Sequence, residues 1–161
     1  MSERLQNWQQ GDTEDRLQAL LRMDSWLQPD EIQVLLDTAQ QVEVDDILRI
    51  ECWKVLGLYS QPPHTASVRT TIHEHWDKEQ DEEYVQIAML EALIAMDVQT
   101  EDVRMALAIV QSDEYILVRS AAFALLCHHH DLPEVRSALE QLRDDSEYGS
   151  SAVKLLAEQE G

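Results

Sequence analysis

The sequence predicts an all-α fold, and more closely an α-solenoid of about nine helices: about four helix pairs with an N-terminal capping helix. Apolar residues recur at i, i+3, i+4 and i+7, as in Val118, Ala121, Ala122 and Leu125, which is the spacing of one helix face. Ala, Leu, Glu and Gln, all good helix formers, dominate these segments. The helical pattern also returns along the chain at a nearly fixed period, which is typical of repeat proteins.

A nine-residue segment is the unit of this repetition. It spans residues 48–56, returns at 85–93 and again at 118–126, and has a weaker copy at 148–156. Between these copies lie shorter segments that begin with Val-Arg, at Val68-Arg69, Val103-Arg104 and Val135-Arg136. Two helices per repeat is the simplest interpretation. Because one helix pair buries little apolar surface alone, we expect neighbouring pairs to stack.

The pattern places each helix in order. The predicted helices span residues 13–27, 30–41, 45–60, 65–79, 83–97, 100–111, 115–130, 132–143 and 147–159. Pro29 precedes the second helix and Pro62-Pro63 the fourth, as expected of turns before helices. Asp131 and Glu134 predict a capping box on the eighth helix, with Pro133 in its first turn. Residues 1–12 are expected to be flexible, and residues 13–161 to form a single repeat domain.

Charge and composition exclude several classes of function. The 161 residues include 12 Lys and Arg against 32 Asp and Glu, a net charge of −20, which opposes binding to a nucleic-acid backbone. No apolar run approaches the roughly 20 residues that span a bilayer. The first ten residues lack the pattern of a secretory signal, and Cys52 and Cys127 make no disulfide framework. We therefore expect a cytoplasmic protein that binds neither membrane nor nucleic acid.

Residues 113–125 resemble a known family. Asp113, Val118-Arg119, Ala122 and Leu125 follow the spacing Asp-x4-Val-Arg-x2-Ala-x2-Leu, which is similar to the consensus of HEAT-like repeats of the phycobilisome-lyase type. More degenerate Val-Arg elements stand at Leu48-Arg49 and Val85-Gln86. The resemblance implies a HEAT-like or armadillo-like superhelix, with the Val-Arg helices on its concave layer and Asp and Arg side chains forming ladders between repeats. It implies no single function, because such repeats serve in bilin lyases, in adaptors and scaffolds, and in a di-iron hydroxylase.

One strip of each Val-Arg helix is the first candidate binding surface. At 100° per residue, one arc of the third helix holds Ile47, Glu51, Lys54 and Leu58. The equivalent arcs hold Tyr84, Ala88, Glu91 and Ala95 in the fifth helix and Leu117, Ala121, Ala124 and His128 in the seventh. In the orientation that the family implies, this strip lines the concave groove; alternatively, its alanines allow close helix packing. The strip residues assigned to partner binding are Glu51, Lys54, Tyr84, Glu91 and His128.

Acidic residues concentrate at the turns that enter the Val-Arg helices. They are Glu43, Asp45, Asp46, Asp77, Glu79, Asp81, Glu82, Glu83, Asp113, Glu114, Asp144, Asp145 and Glu147. Helix capping accounts for part of this, at about 0.3 to 1 kcal/mol per residue, but the five acids within 77–83 exceed what capping requires. We therefore expect an acidic rim that attracts a basic partner, with Asp81, Glu82 and Glu83 in the contact.

The remaining polar residues do not predict chemistry. The consecutive side chains of His128, His129 and His130 diverge by about 100° and cannot converge on a metal. The di-iron hydroxylase of the related fold group uses several His-Glu pairs, whereas residues 73–75 supply one. Arg49 and Arg119 are expected to pair with turn carboxylates and not to bind phosphate. The sequence carries no nucleophile elbow and no Gly-rich phosphate loop.

These observations predict a non-enzymatic protein–protein interaction module, either an adaptor or scaffold or an inhibitor. It would bind a basic or helical segment of its partner through the concave groove and the acidic rim, without a cofactor or metal. Two alternatives stay open. One is an immunity-type inhibitor of a cationic enzyme or toxin, and the other is a subunit of a bilin lyase or a chromophore chaperone.

Overall fold

The fold is all-α, as the sequence predicts. The computed structural model describes residues 3–160, with side chains described to residue 158. The α-helices are α1 (Thr13–Leu21), α2 (Pro29–Ala39), α3 (Asp46–Tyr59), α4 (Thr65–His75), α5 (Glu83–Ala95), α6 (Thr100–Val110), α7 (Ile116–His128), α8 (Pro133–Gln141) and α9 (Gly149–Glu160). Short 3-10 helices add Glu3–Leu5, Trp8–Gln10 and Trp76–Glu79.

Most helix ends lie within two residues of the predicted ones, but two ends and one predicted cap differ more. The first helix ends at Leu21 and not at residue 27, because an irregular segment of 22–28 separates it from Pro29. The fourth helix ends at His75 and continues as a 3-10 turn to Glu79. The predicted Asp131 capping box is wrong: the N-cap of α8 is Leu132, whose side chain cannot accept a hydrogen bond, and Pro133 opens the helix.

The chain divides into two compact units, Met1–Met96 and Asp97–Gly161, where the sequence suggested one domain over residues 13–161. In the first unit α3 packs against α1, α2 and α5, and in the second α6 packs against α7 and α8 while α8 also packs against α9. The longest described helix, α3, has 14 residues. Every helix between residues 3 and 160 is thus too short or too polar to cross a bilayer.

The N-terminal segment differs most from expectation. Residues 1–12 were expected to be flexible, but in the described part, residues 3–12, Leu5 and Trp8 are buried. The indole Nε1 of Trp8 donates a hydrogen bond of 3.2 Å to Thr38 Oγ1 in α2. The guanidinium of Arg16 lies over the same ring at 5.4 Å, and its Nε donates to the Trp8 carbonyl. This segment is therefore part of the first unit; Met1 and Ser2 lie outside the described residues.

Arg4 fixes the start of α2. Its Nε and Nη2 donate to the two carboxylate oxygens of the buried Glu31, at 3.0 and 2.7 Å. The hydrogen bond to Glu31 raises the pKa of Arg4. Glu31 also accepts from the backbone N–H of Gln28, the N-cap of α2. Because Arg4 further donates to Ser25 Oγ and the Trp26 carbonyl, one side chain joins the segment between α1 and α2 to the first turn of α2.

Helices α3 and α5 run side by side in the same direction. Near their C-terminal ends, a Cβ added to Gly57 would lie 2.7 Å from Ala92 Cα. Near their N-terminal ends, Arg49 in α3 hydrogen-bonds Glu79, which lies just before α5. Two contacts at matching ends require a parallel arrangement. The absent side chain at Gly57 allows the two backbones to approach this closely.

The core of the second unit is built from the inward faces of α6, α7, α8 and α9. Its buried apolar residues include Val118, Ala122, Leu125, Val135, Leu139 and Ala152. The rings of Phe123 and Tyr148 stack with their centroids 4.9 Å apart. Ser120 Oγ and Tyr148 Oη lie 2.9 Å apart and share a hydrogen bond, which joins α7 to the start of α9.

Substitution of Gly57 tests the close approach of α3 and α5. Alanine has the higher helix propensity, by about 1 kcal/mol, so Gly57→Ala would stabilise an uncrowded helix. Here the new methyl group meets the Ala92 backbone at 2.7 Å. We expect a net loss of about 1 to 3 kcal/mol in the free energy of unfolding, measured by urea denaturation. An unchanged or raised urea midpoint would contradict the packing described here.

Candidate functional site

The solvent-facing sides of α3 and α5 form the candidate site. Ile47 and Tyr84, in the first turns of the two helices, are 62 % and 64 % exposed, and Leu58 is 52 % exposed at the far end of α3. Exposed apolar residues are common singly, so their arrangement decides whether they matter.

Helix geometry shows that the two exposed rows face the same way. At 100° per residue, Gly57 lies about 80° around the axis of α3 from Ile47. Ala92 also lies about 80° around the axis of α5 from Tyr84, but in the opposite sense of rotation. Because Gly57 and Ala92 are in contact and the helices are parallel, the rows that begin at Ile47 and Tyr84 point in one direction. We call these two rows the α3–α5 face.

Four of the predicted strip residues lie on this face. Glu51 is half-buried and Lys54 is exposed, with Lys54 Nζ 4.0 Å from Glu51 Oε1. Tyr84 and Glu91 are exposed on α5. Ala88, which the sequence placed in the same strip, is buried instead and belongs to the packing between helices. The α3–α5 face is thus mixed, with apolar, acidic and basic side chains in two adjacent rows.

The seventh helix carries the third predicted row, in the second unit. Leu117 and His128 are exposed at the two ends of α7, while Ala121 and Ala124 are half-buried between them. His128 therefore lies on an accessible part of α7. It belongs to a different unit from the other predicted site residues.

The acidic residues at positions 79–83 differ in exposure: one is buried and three are accessible to solvent. Asp81 is exposed and Glu82 and Glu83 are half-buried, so all three are accessible. Glu79 was expected on the same rim, but it is fully buried. It is removed from the surface by its bonds to Arg49 and His75, and the rim prediction is wrong for this residue.

Glu82 and Asp46 form a carboxyl pair between the two helices. The hydrogen bond to Asp46 raises the pKa of Glu82, reinforced by partial desolvation and by the negative charge of Asp46, while Arg49 acts in the opposite direction. A hydrogen bond between two carboxyl groups needs a proton, so the fully ionised pair is repulsive. Asp46 Oδ1 is 3.9 Å from Arg49 Nη1, which is too long for a hydrogen bond.

Arg49 is fully buried, and two of its three guanidinium nitrogens hydrogen-bond interior groups. Its Nε donates to the carbonyl of Ala39, the last residue of α2, at 2.9 Å, and its Nη2 donates to Glu79 Oε1. The same oxygen lies 2.5 Å from His75 Nε2. Burial, then the charges of Arg49 and Lys78, lower the pKa of His75. Neutral His75 donates to Glu79 through a proton assigned to Nε2.

The second unit holds a matching but more exposed arrangement. Arg119 Nε donates to the carbonyl of Val110, the last residue of α6, at 3.0 Å, and Arg119 Nη1 lies 2.5 Å from Glu147 Oε1. The guanidinium also lies over the Tyr148 ring at 5.4 Å. Glu147 has 44 % of its side chain exposed, whereas Glu79 has none. The prediction that Arg49 and Arg119 pair with turn carboxylates is confirmed.

The other candidate groups are dispersed. His75 is buried and Glu74 is exposed, so the two side chains lie on different faces of α4. Burial raises the pKa of the Cys52 thiol to about 12, which keeps it protonated and unreactive at neutral pH. Over residues 3–160, no three His, Cys, Asp or Glu side chains are grouped as metal ligands.

Comparison with known proteins adds no relative: no family model, no curated protein and no solved structure matches the chain. The resemblance to HEAT-like repeats therefore stays a prediction. The function has to be argued from the geometry of this chain alone.

Sequence reasoning missed two groups of the site. The Asp46–Glu82 pair escaped it because the two residues are distant in sequence and meet only through the parallel packing of α3 and α5. The only local signal for the buried cluster was the i, i+4 spacing of His75 and Glu79, which fits one helix face. The adjacent His73 and Glu74 form a more conspicuous His-Glu motif in the sequence.

Glu79 and Glu147 provide a matched test of the two arginine pairs. Glu79→Gln leaves the Arg49 charge buried without its carboxylate, which is expected to cost about 3 to 5 kcal/mol in the free energy of unfolding. Glu147→Gln removes a partly exposed partner of Arg119 and is expected to cost about 0 to 1 kcal/mol. Urea denaturation of both variants measures the difference. Equal losses would contradict the distinction between buried and exposed pairs.

The carboxyl pair predicts a loss of stability as the pH rises, which the variant Glu82→Gln would relieve. Above the ordinary pKa of glutamate and below the raised pKa of Glu82, the folded protein binds more protons than the unfolded chain, so stability falls as pH rises. Glu82→Gln removes this term. We expect a higher thermal midpoint than wild type at neutral pH, and a difference that closes at acidic pH.

The matched control is Glu91→Gln, an exposed acid two turns further along α5. It should leave the pH dependence of the midpoint as in wild type. A Glu82→Gln variant less stable than wild type at neutral pH would show that the Asp46–Glu82 pair is not repulsive.

Proposed function

We propose that this chain is a non-enzymatic protein-binding module of the cytoplasm, an adaptor or an inhibitor, that holds a basic segment of another protein. The α3–α5 face and the acidic turn of Asp81, Glu82 and Glu83 would make the contact. The observation that carries the proposal is the exposure of Ile47 and Tyr84 in adjacent parallel rows, in a unit that also presents the accessible carboxylates of the acidic turn.

The apolar part of this face favours a protein partner. Exposed aromatic and branched side chains gathered in one place, rimmed by polar groups, are typical of protein interfaces. Tyr84 is well suited as an anchor, because a ring with few rotatable bonds loses little entropy on binding. Ile47 lies in the neighbouring row and extends the apolar area.

The charge favours a basic partner. With a net charge of −20, the chain attracts cationic proteins from a distance and repels other acidic ones, and complementary charge acts mainly on association rate and specificity. Inhibition of a cationic enzyme is one form that such a contact would take. The buried Arg49, Glu79 and His75, by contrast, bind one another and stabilise the first unit.

Charge reversal at the acidic turn tests the proposal. Partners captured by the wild-type chain in a lysate of its own host cells are identified by mass spectrometry, and each is then titrated as a purified protein. We expect a basic partner whose affinity falls steeply with added salt. We also expect the triple variant Asp81→Lys, Glu82→Lys and Glu83→Lys to weaken its binding by at least about tenfold, or about 1.4 kcal/mol.

The control reverses three exposed acids of the second unit, Glu101, Asp131 and Glu134. It changes the net charge by the same amount, so it measures the effect of overall charge alone. If both triple variants lost affinity equally, the contact would be non-specific attraction, and the proposed site would be wrong. Binding that is independent of salt would contradict a basic partner.

A further inference from the structure

The first unit contains a surface cleft that the proposed function does not use. We call it the N-terminal cleft, because its walls are the segment of residues 3–11 and one side of α1. It encloses about 600 Å³, a volume within the range of small-ligand sites in proteins. Its polar lining consists of three arginines, two acids and four side-chain amides.

The charge of this cleft is unlike that of the whole chain. Three arginines line it against two acids, whereas the chain has 12 basic residues against 32 acidic ones. Because Arg4 is paired with the buried Glu31, two arginines remain against the two acids, and the cleft is locally neutral. An anionic group therefore meets less repulsion here than over the acid-rich remainder of the surface.

Arg16 is held in this cleft by contacts that leave its terminal nitrogens unused. Its Nε donates to the Trp8 carbonyl at 2.9 Å, and its guanidinium lies over the Trp8 ring at 5.4 Å. That ring is fixed in turn by its hydrogen bond to Thr38. Within residues 3–158, neither Nη atom of Arg16 has a hydrogen-bond partner. Such a preorganised guanidinium offers two parallel N–H donors, which match the two oxygens of a carboxylate.

A second cation and several amides complete the lining. Arg22, the C-cap residue of α1, is exposed, and its side chain makes no hydrogen bond or ion pair with the described part of the chain. Gln6, Asn7 and Gln10 are exposed along the wall of residues 3–11. Each of these amides has both donors and an acceptor, which is the hydrogen-bonding pattern that a peptide group requires.

We infer that the N-terminal cleft binds the C-terminal end of a polypeptide, with the terminal carboxylate on Arg16 and Arg22 and the last peptide groups on the side-chain amides. Capture of a C-terminal carboxylate by clustered donors is a recurring mode of peptide recognition. Phosphate is a poorer occupant, because its charge of about −1.5 to −2 at neutral pH is repelled more strongly by a chain of −20. Peptide capture in this cleft goes beyond the proposed function and is independent of it.

Two peptides that differ in one group provide the test. One is N-acetyl-trialanine with a free carboxylate, and the other is the same peptide with a C-terminal amide. Both are titrated into the full chain, and binding is followed by the indole N–H resonance of Trp8, whose ring lies beneath Arg16. We expect the acid to shift this resonance and to bind at least about tenfold more tightly than the amide. The indole resonance of Trp76, in the 3-10 turn before α5, should stay unchanged.

Two variants then locate the carboxylate. Arg22→Gln, on an exposed side chain, is expected to weaken binding of the acid by about threefold or more and to leave the amide unchanged. Arg16→Lys keeps the charge without the planar fork and should remove most of the preference for the acid. The control Arg104→Gln removes an exposed arginine of the second unit and should keep that preference. Because acid and amide are compared on the wild-type chain, the result does not depend on how well a variant folds.

Three outcomes would overturn peptide capture. They are equal affinities for acid and amide, no binding of either peptide up to its solubility limit, and an equal shift of the Trp8 resonance by acetate or inorganic phosphate alone. The last would identify a general anion site. None of these measurements involves Asp81, Glu82 or Glu83, so the proposed function stands or falls separately.

An unblocked trialanine distinguishes the source of the carboxylate. The end of a longer chain is indicated if the unblocked and acetylated peptides bind equally. A free peptide is indicated if the unblocked form binds more tightly, because its ammonium group would find Glu3 and Asp15 in the same cleft. Either result supports capture of a peptide carboxylate, and weaker binding of the unblocked form would contradict this placement of the two acids.

Discussion

The buried ion pair of Arg49 and Glu79 is the contact on which the rest of the first unit depends. One guanidinium binds the last carbonyl of α2 and the carboxylate just before α5, so it connects α2, α3 and the 3-10 turn that precedes α5. Burying two charges is costly unless each finds good partners, and His75 supplies a second donor to Glu79. The pair therefore fixes where α5 begins relative to α3.

This constraint determines the surface as well as the core. With the N-terminal ends held together by Arg49 and Glu79, and the backbones in contact at Gly57 and Ala92, the outward rows of both helices face the same solvent. The exposed Tyr84 therefore lies in the row beside Ile47. The arrangement of this exposed face thus follows from an interior ion pair, so the proposed binding surface depends on a buried contact.

Structural features that follow the repeat of the sequence were predicted correctly, whereas contacts that do not follow the repeat were missed. Helices α3 and α5 follow from their apolar spacing, and the pairing of Arg49 with a turn carboxylate follows from its place in the repeat. Leu5 and Trp8 stand isolated in a polar stretch, so no period revealed that they are buried. The meeting of Asp46 with Glu82 depends on a tertiary approach that no local pattern encodes.

Methyl and aromatic NMR of the full chain, titrated with the basic partner, tests the central claim most directly. The account predicts that the resonances of Ile47 and Tyr84 shift first and furthest, while those of Val135 and Leu139 in the core of the second unit stay unchanged. Shifts confined to the second unit, with Ile47 and Tyr84 unaffected at saturation, would contradict it.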